Sequence, residues 1–505
     1  MTDSKKVTHT AAQGYSDAGQ LADVPHVVVV GGGIAGLSAA TALAERGVKV
    51  HVVERESYLG GRVGGWDTTL EDGSPATMSR GFHAFFRQYY NLRNLLRRTD
   101  PELARLRPVD DYPLIDGDGR IDGFKGLPDT PPLNAFTFVK RSPTFRWKDL
   151  TDLNGIAALP LMTVSVPKTF DELDTTPAAE FLRNINFPEA ARHLAFGVFS
   201  RSFFADPEKM SAAELAMMFH IYFLGSSEGL IFDVPRDPYP QALWDPLGEY
   251  LTGLGVDIRT STPCGEISRG GLRKFRVDAG GIIDADAVVL ATDIAGLQRV
   301  LEQSPELGTP DWRKQVAALQ NTPPFLVHRV WLSKAVNADR PAFIGTGGMP
   351  PIDNISVLER FEDEAAQWAA RTGGSVVELH AYAAEDSEEV TRQQLMDRMH
   401  EIYPETAAAE VIAERSEWRD DCPMFGLGAF AERPTVRTPE PALVLAGDGI
   451  RIDLPVALME RAATTGLQAA NTLLASWGIT GHDIETVPTS GRFKMFDAIE
   501  RLMNR

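Results

Sequence analysis

A chain of 505 residues is too long for one compact core, so two or three domains are expected. Its 43% hydrophobic and 24% charged content is that of a soluble globular protein rather than a fibrous or disordered one. The 50 basic and 69 acidic side chains give a formal charge of -19, which argues against nucleic acid as a partner and against simple coulombic binding to anionic lipid.

In chain order, residues 1–24 are polar, carry Lys5 and Lys6, and read as a disordered arm rather than a secretory signal. His26 to Val30 is a short apolar strand, Ile34 to Arg46 a helix, and Lys49 to Glu54 a second strand. Tyr89 to Arg98 predicts a helix, and turns rich in proline and glycine follow to about Thr151. Residues from Pro177 to Leu230 read as helical, with Ala213 to Leu224 apolar almost all round. Gln241 to Leu254 predicts a helix, and short strands follow at Val256–Thr260, Cys264–Ser268, Leu272–Val277 and Ala287–Ala291. Phe325–Trp331, Ile355–Leu358 and Val376–Tyr382 predict a second sheet. A last strand, Ala442–Ala446, precedes a last helix, Val456–Ala475. No run approaches the roughly 20 apolar residues of a membrane-spanning helix.

The first strand runs into Gly31-Gly32-Gly33-Ile34-Ala35-Gly36. Gly31 allows a tight turn, Gly33 lets the backbone approach a pyrophosphate, and Gly36 lets the helix pack on the strand. The helix N-terminus at Ile34 and Ala35 then faces the phosphate charge. Glu54 ends the second strand, 18 residues beyond Gly36, where a carboxylate can bond a ribose hydroxyl and repel a 2′-phosphate. A lone glycine motif is weak, but strand, helix, second strand and carboxylate together predict a dinucleotide site. FAD is favoured over NAD by two features. Gly60-Gly61-Arg62 follows the acidic strand beside Arg55, and Arg62 can reach a pyrophosphate as a charge-assisted donor. Near the C-terminus, Leu443-Val444-Leu445-Ala446 leads into Gly447-Asp448, Pro455 and a helix rich in small residues.

These segments resemble the FAD superfamily of amine oxidases and phytoene desaturases. The resemblance implies that Gly447 and Asp448 hold the ribityl chain and that the backbone near Met459 points at the flavin. It also implies a central strand touching adenine, here Cys264-Gly265-Glu266-Ile267, with Cys264 where the family has valine. The segment Gly81-Phe82-His83-Ala84-Phe85-Phe86 resembles one that passes beside the flavin in the carotene-desaturase branch. Phe199 to Phe204, Trp244 to Leu247 and Leu454 to Glu460 extend the likeness to carotene desaturase/methyltransferases of the isorenieratene synthase type.

The implied fold is α/β, a two-domain FAD-dependent oxidoreductase. A Rossmann-like parallel sheet, discontinuous in sequence, pairs with a mixed-sheet and helical substrate domain. The nucleotide domain is expected over residues 25–95, 236–305 and 415–480, the substrate domain over 96–235 and 306–414, and a C-terminal extension over 481–505. The implied reaction desaturates the β-ionone rings of β-carotene with a methyl shift, giving aromatic rings. Such chemistry needs a hydride acceptor, stabilisation of a cation and a place for protons. Phe82, Phe85, Phe86, Phe203, Phe204 and Tyr222 can face a cation, although any single one of them is more often a core residue. His83 is either a proton acceptor or polariser beside the flavin, or a structural histidine bonded to backbone. His328 and His380 are expected to be packing residues; Arg201 and Glu228 could be cleft groups, but surface ion pairing is their default reading.

Only Cys264 and Cys422 occur, so no metal site or disulfide framework is expected and a cytoplasmic setting fits. Cys422 raises the question of covalent flavin, but a buried thiol is usually inert, so non-covalent FAD is expected. An insoluble substrate implies a membrane surface as partner, on its inner face; Ala213–Leu224 and Ile156–Met162 are candidates for tunnel wall or membrane-dipping surface, or else lie in the core of the substrate domain. An electron acceptor, not identifiable from the residues, must reoxidise the flavin. The competing readings are an acyclic carotene desaturase or isomerase, an amine oxidase, and a lipid-escort protein that has lost flavin chemistry.

Overall fold

A computed structural model describes residues 5–145, 148, 151–191 and 206–491. Five short strands form a parallel sheet in the order Asp257–Arg259, Lys49–Val53, His26–Val30, Ala287–Leu290 and Leu443–Leu445. Their near-continuous valine and leucine runs reflect burial on both faces, as a parallel sheet requires. Helix Ile34–Ala44 leaves the first strand and packs against the late helix Leu458–Ser476. Small residues make that approach possible. A Cβ at Gly466 would meet the Ala35 carbonyl oxygen at 2.2 Å, and Ser38 Oγ donates to the Ala463 carbonyl at 2.8 Å.

The second layer is a seven-stranded mixed sheet in the order Val411–Arg419, Phe325–Leu332, Ser375–Ala381, Asn354–Val357, Phe343–Gly347, Leu114–Asp116 and Ile121–Asp122. Only Phe343–Gly347 and Leu114–Asp116 pair in parallel within it. A helical cluster has a core of its own, including Ala178–Asn184, Ala212–Phe219 and the π turn His220–Leu224. Glu214 is tolerated inside it because both its oxygens are paired. Arg433 and Arg461 donate to them at 2.9 and 3.0 Å.

Several expectations change. The arm is ordered at Val7–His9, which pairs antiparallel with Ile484–Thr486, because the extension supplies the strand partner that the arm lacks alone. The turn-rich stretch before Thr151 holds three short strands and the helix Leu133–Arg141. Strand Val411–Arg419 belongs to the mixed sheet, so residues 415–419 leave the nucleotide segment. Leu307, Trp312 and Val316 instead join the core around the parallel sheet, moving the boundary expected at 305 beyond them. The apolar stretch Ala213–Leu224 is almost wholly buried and offers no membrane-dipping surface.

Candidate active site

One cavity of about 450 Å³ opens beyond the carboxyl ends of the parallel strands and runs to the mixed sheet. That is where open α/β sheets bind ligands. Its end beneath the glycine turn is made of backbone. Gly31 has φ of +108°, and a Cβ there would strike the Ala291 carbonyl oxygen at 2.5 Å. A Cβ at Gly36 would lie 1.9 Å from the Gly31 carbonyl oxygen, so helix and strand touch there. Gly33 differs: the nearest atom to its Cβ position is Gly61 Cα at 3.8 Å, so a side chain would fill the cavity itself. Ile34 and Ala35 follow on the wall.

Glu54 is buried beneath this turn. Its oxygens accept from the Gly32 and Glu56 amides at 2.6 and 2.7 Å, while burial pushes its pKa up. Each oxygen keeps a lone pair for a hydroxyl. Arg55 lies beside it, bonded to Glu56 Oε1 at 3.1 Å. Cys264 lines the same end from the loop before Ile267–Arg269 rather than from a strand. Burial pushes its thiol up to about 12, so it stays neutral.

In the middle of the cavity, residues remote in sequence converge. Arg62 Nη2 donates to Asp448 Oδ1 at 2.5 Å, and Gly61 and Gly447 flank the pair. The turn carrying Arg62 is braced by Trp244, whose Nε1 donates to the Val63 carbonyl at 2.6 Å, close against Gly60. Leu458 and Met459 begin the late helix on the wall, Leu458 with a left-handed φ of 53°. A non-glycine residue held this way costs on the order of 1–3 kcal/mol and often marks a functional site.

The far end is aromatic. Phe82 lies 4.5 Å from Phe343, centroid to centroid, and meets Phe232 edge-on. Phe86 is edge-on to Tyr222 and Phe232. Phe85 does not share the site. Consecutive residues of an extended strand point to opposite faces, so Phe85 is 0% exposed in the core around the parallel sheet while Phe86 reaches the cavity. Tyr222 stands behind Phe86, its hydroxyl 2.8 Å from that of Tyr89. Arg201, Phe203 and Phe204 lie outside the described residues, and Glu228 is not on the cavity wall.

Gly81 takes φ of +93° with its Cα pressed on the His380 ring, where a Cβ would come within 2.6 Å. Its carbonyl accepts from Tyr239 Oη and His83 Nδ1, both at 2.8 Å. Burial lowers the His83 pKa to about 4, and Arg62 and Arg80 add to that repulsion of a proton. His83 is therefore neutral, with Nδ1–H spent on backbone and the Nε2 lone pair free of that bond.

The sequence profile of flavin containing amine oxidoreductases matches residues 34–474. The chain belongs to this family. A carotenoid phi-ring synthase from Streptomyces griseus is 56% identical over 93% of this chain and 92% of that one. One from Chlorobaculum tepidum is 26% identical, over 97% and 94%. Putrescine oxidase bound to putrescine superposes with a TM-score of 0.66 at 16% identity, covering 90% of this chain and 99% of that one. Cyclohexylamine oxidase from Brevibacterium oxydans gives 0.64 at 15%, covering 90% and 100%. At such identities these likenesses concern the fold, that of a two-domain α/β flavin oxidoreductase.

As a member of this family the chain binds flavin, and its residues fit the group: the space at Gly33 is one a Cβ would fill, and Arg62 and Asp448 are already paired beside it. Three wall features escape the sequence reading. His380, expected as packing, lies on the wall with Tyr382, and Arg80 pairs with Asp421 at 2.5 Å beside it. Glu378, His380 and Tyr382 alternate on and just after strand Ser375–Ala381 and so share a face, a signal the residues did carry. His328 is the packing residue expected, bonded to Ser416 Oγ at 2.9 Å and pushed by burial to about 4.

Proposed function

We propose that the chain binds one FAD non-covalently and oxidises the β-ionone rings of β-carotene, with a methyl shift, to aromatic rings. The supporting observation is a single cavity joining a backbone cradle to an aromatic chamber, in a chain 56% identical to a carotenoid phi-ring synthase. Gly31 to Ala35 hold the pyrophosphate, Glu54 a ribose hydroxyl, Arg62 the phosphate charge and Asp448 the ribityl chain. Bound FAD supplies a two-electron hydride acceptor. Phe82 and Phe86 face the positive charge that develops on the ring, each contributing roughly 0.5–2 kcal/mol, and exclude water from it. His83, neutral, polarises a neighbouring group through Nε2.

Cys422 lines the cavity, yet burial pushes its thiol up to about 11, which leaves little thiolate for covalent attachment. Acid precipitation is expected to release the flavin into the supernatant; flavin in the pellet contradicts this reading. No described helix is long and apolar enough to cross a membrane. The substrate is instead collected from the bilayer's inner face by Ile156, 65% exposed, and the half-buried Leu159–Met162 behind it. Neutral liposomes are expected to carry the protein upward in a density gradient.

Expression in cells that accumulate β-carotene tests the reaction. A one-ring aromatic product is expected first and a two-ring product later. Untouched β-carotene, with new products only in cells making lycopene, supports an acyclic substrate instead.

A further inference from the structure

We propose that Tyr382 is the residue that takes protons from the carotenoid ring, with His380 and Glu378 behind it as a relay. This rests on the ring-oxidation reading, since each dehydrogenation must release a proton as well as a hydride. The three residues occupy alternate positions on and just after strand Ser375–Ala381, and so point to one side. His380 and Tyr382 reach the cavity wall.

The direction of the relay follows from its buried end. Glu378 Oε2 accepts from Arg329 Nε and Nη2 at 3.0 and 2.8 Å, and Arg329 is itself fixed by the Thr77 carbonyl and Ser79 Oγ. Arg329 and His380 hold the Glu378 carboxyl near 2 in spite of its burial, so it is ionised. Its other oxygen lies 2.9 Å from His380 Nε2. A carboxylate facing a bare nitrogen lone pair would be repelled, so Nε2 carries the proton. The Phe82 amide, 3.4 Å from the same nitrogen, is too distant to compete. His380 Nδ1 is then an acceptor, and the Tyr382 hydroxyl 2.8 Å away donates to it. Asn354 Nδ2 donates to the phenolic oxygen at 3.0 Å, which steadies negative charge there as its proton leaves.

His83 is less suited to the task. A proton on it would face Arg62, Arg80 and His380, whereas a proton on His380 faces Glu378. The other charged or titratable groups near the relay are Asp353 and Cys422 beside Tyr382, and Glu362 and Tyr239 beside Arg329 and Glu378. In the proposed step, a ring carbon next to the cation loses its C–H proton to the Tyr382 oxygen. The C–H electron pair becomes the new C=C bond and neutralises the cation. The phenolic proton passes to His380 Nδ1, giving an imidazolium against the Glu378 carboxylate. Atoms and charge balance, and the proton later leaves to solvent.

The experiment uses purified holoenzyme and two readouts. Nitrogen-15 NMR of the wild-type histidines, with His380→Gln for assignment, should show His380 protonated at Nε2 and bare at Nδ1. A His380 protonated at Nδ1 overturns the relay, because Tyr382 could not then donate to it. Tyr382→Phe should keep its flavin content yet form aromatic product at least about a hundredfold more slowly. A product rate within a fewfold of wild type also overturns the proposal. If Tyr382→Phe fails to fold, the wild-type tautomer decides alone. Wild-type enzyme that leaves β-carotene unchanged contradicts the reaction reading instead, and the tautomer still judges the relay.

Discussion

The two ends of the cavity are built on different principles. At the end beneath the glycine turn, the wall is main chain of contiguous residues, Gly31 to Ala35, with the Glu54 carboxylate fixed by two backbone amides. At the aromatic end, side chains arrive from four separate strands: Phe86, Phe232, Phe343 and His380, with Tyr382 just beyond the last. Backbone recognition imposes glycine at fixed spacing, whereas side-chain recognition asks only for the right group at the right place. The first end should therefore fail abruptly on substitution, and the second by degrees.

Gly33→Val breaks the nucleotide end most severely. The branched side chain enters the space left open there, and flavin affinity should fall more than about a hundredfold, near 3 kcal/mol. Flavin content per mole of purified protein measures it; full occupancy would misplace the turn.

Phe85 and Phe86 sharpen the comparison, since adjacent residues serve different ends. Phe85→Ala empties a fully buried site and should cost about 3–5 kcal/mol in chemical denaturation. Phe86→Ala should lose less stability, keep its flavin, and slow ring oxidation more than it lowers flavin content. Equal stability losses with equal turnover would mean that both rings are simply core.

His83→Ala should reduce turnover less than Tyr382→Phe while FAD stays bound, because the His83 proton faces two guanidinium groups. A larger loss for His83→Ala would return the proton to it.

The smallest effect is on stability against pH. His328 is 0% exposed with a folded pKa of about 4, below its ordinary 6.5, and His83 is shifted in the same direction. Between those values the unfolded chain binds protons that the folded chain does not. Stability should therefore be complete above about pH 6.5 and fall as pH drops toward 4, by up to about 1.4 kcal/mol per unit for His328. His83 should add less, since it borders the cavity. Replacing His328 by Gln should flatten the slope in denaturation midpoints measured across that range.

The same contrast explains what the residues reveal before folding. The strand His26–Val30, the turn after it, Glu54 and Gly447-Asp448 are legible because each is local and chemically constrained. Phe85 misleads because a run of aromatics does not say which face each takes, and a two-residue strand gives no period to read. Cys264 falls in a loop because Ile267, not Cys264, starts the pairing with Val277. The ordered arm is hidden because its partner lies far away at Ile484–Thr486. His380 is overlooked because its role depends on Gly81, whose missing side chain lets the imidazole reach the site.

Stoichiometry tests the central claim most directly. Each aromatic ring requires the loss of four hydrogens, hence two two-electron oxidations with the methyl retained. Purified holoenzyme, held without oxygen and given β-carotene with a limiting artificial two-electron acceptor, should bleach its flavin and consume two equivalents of acceptor per aromatic ring formed. Unbleached flavin with β-carotene recovered intact would contradict the account.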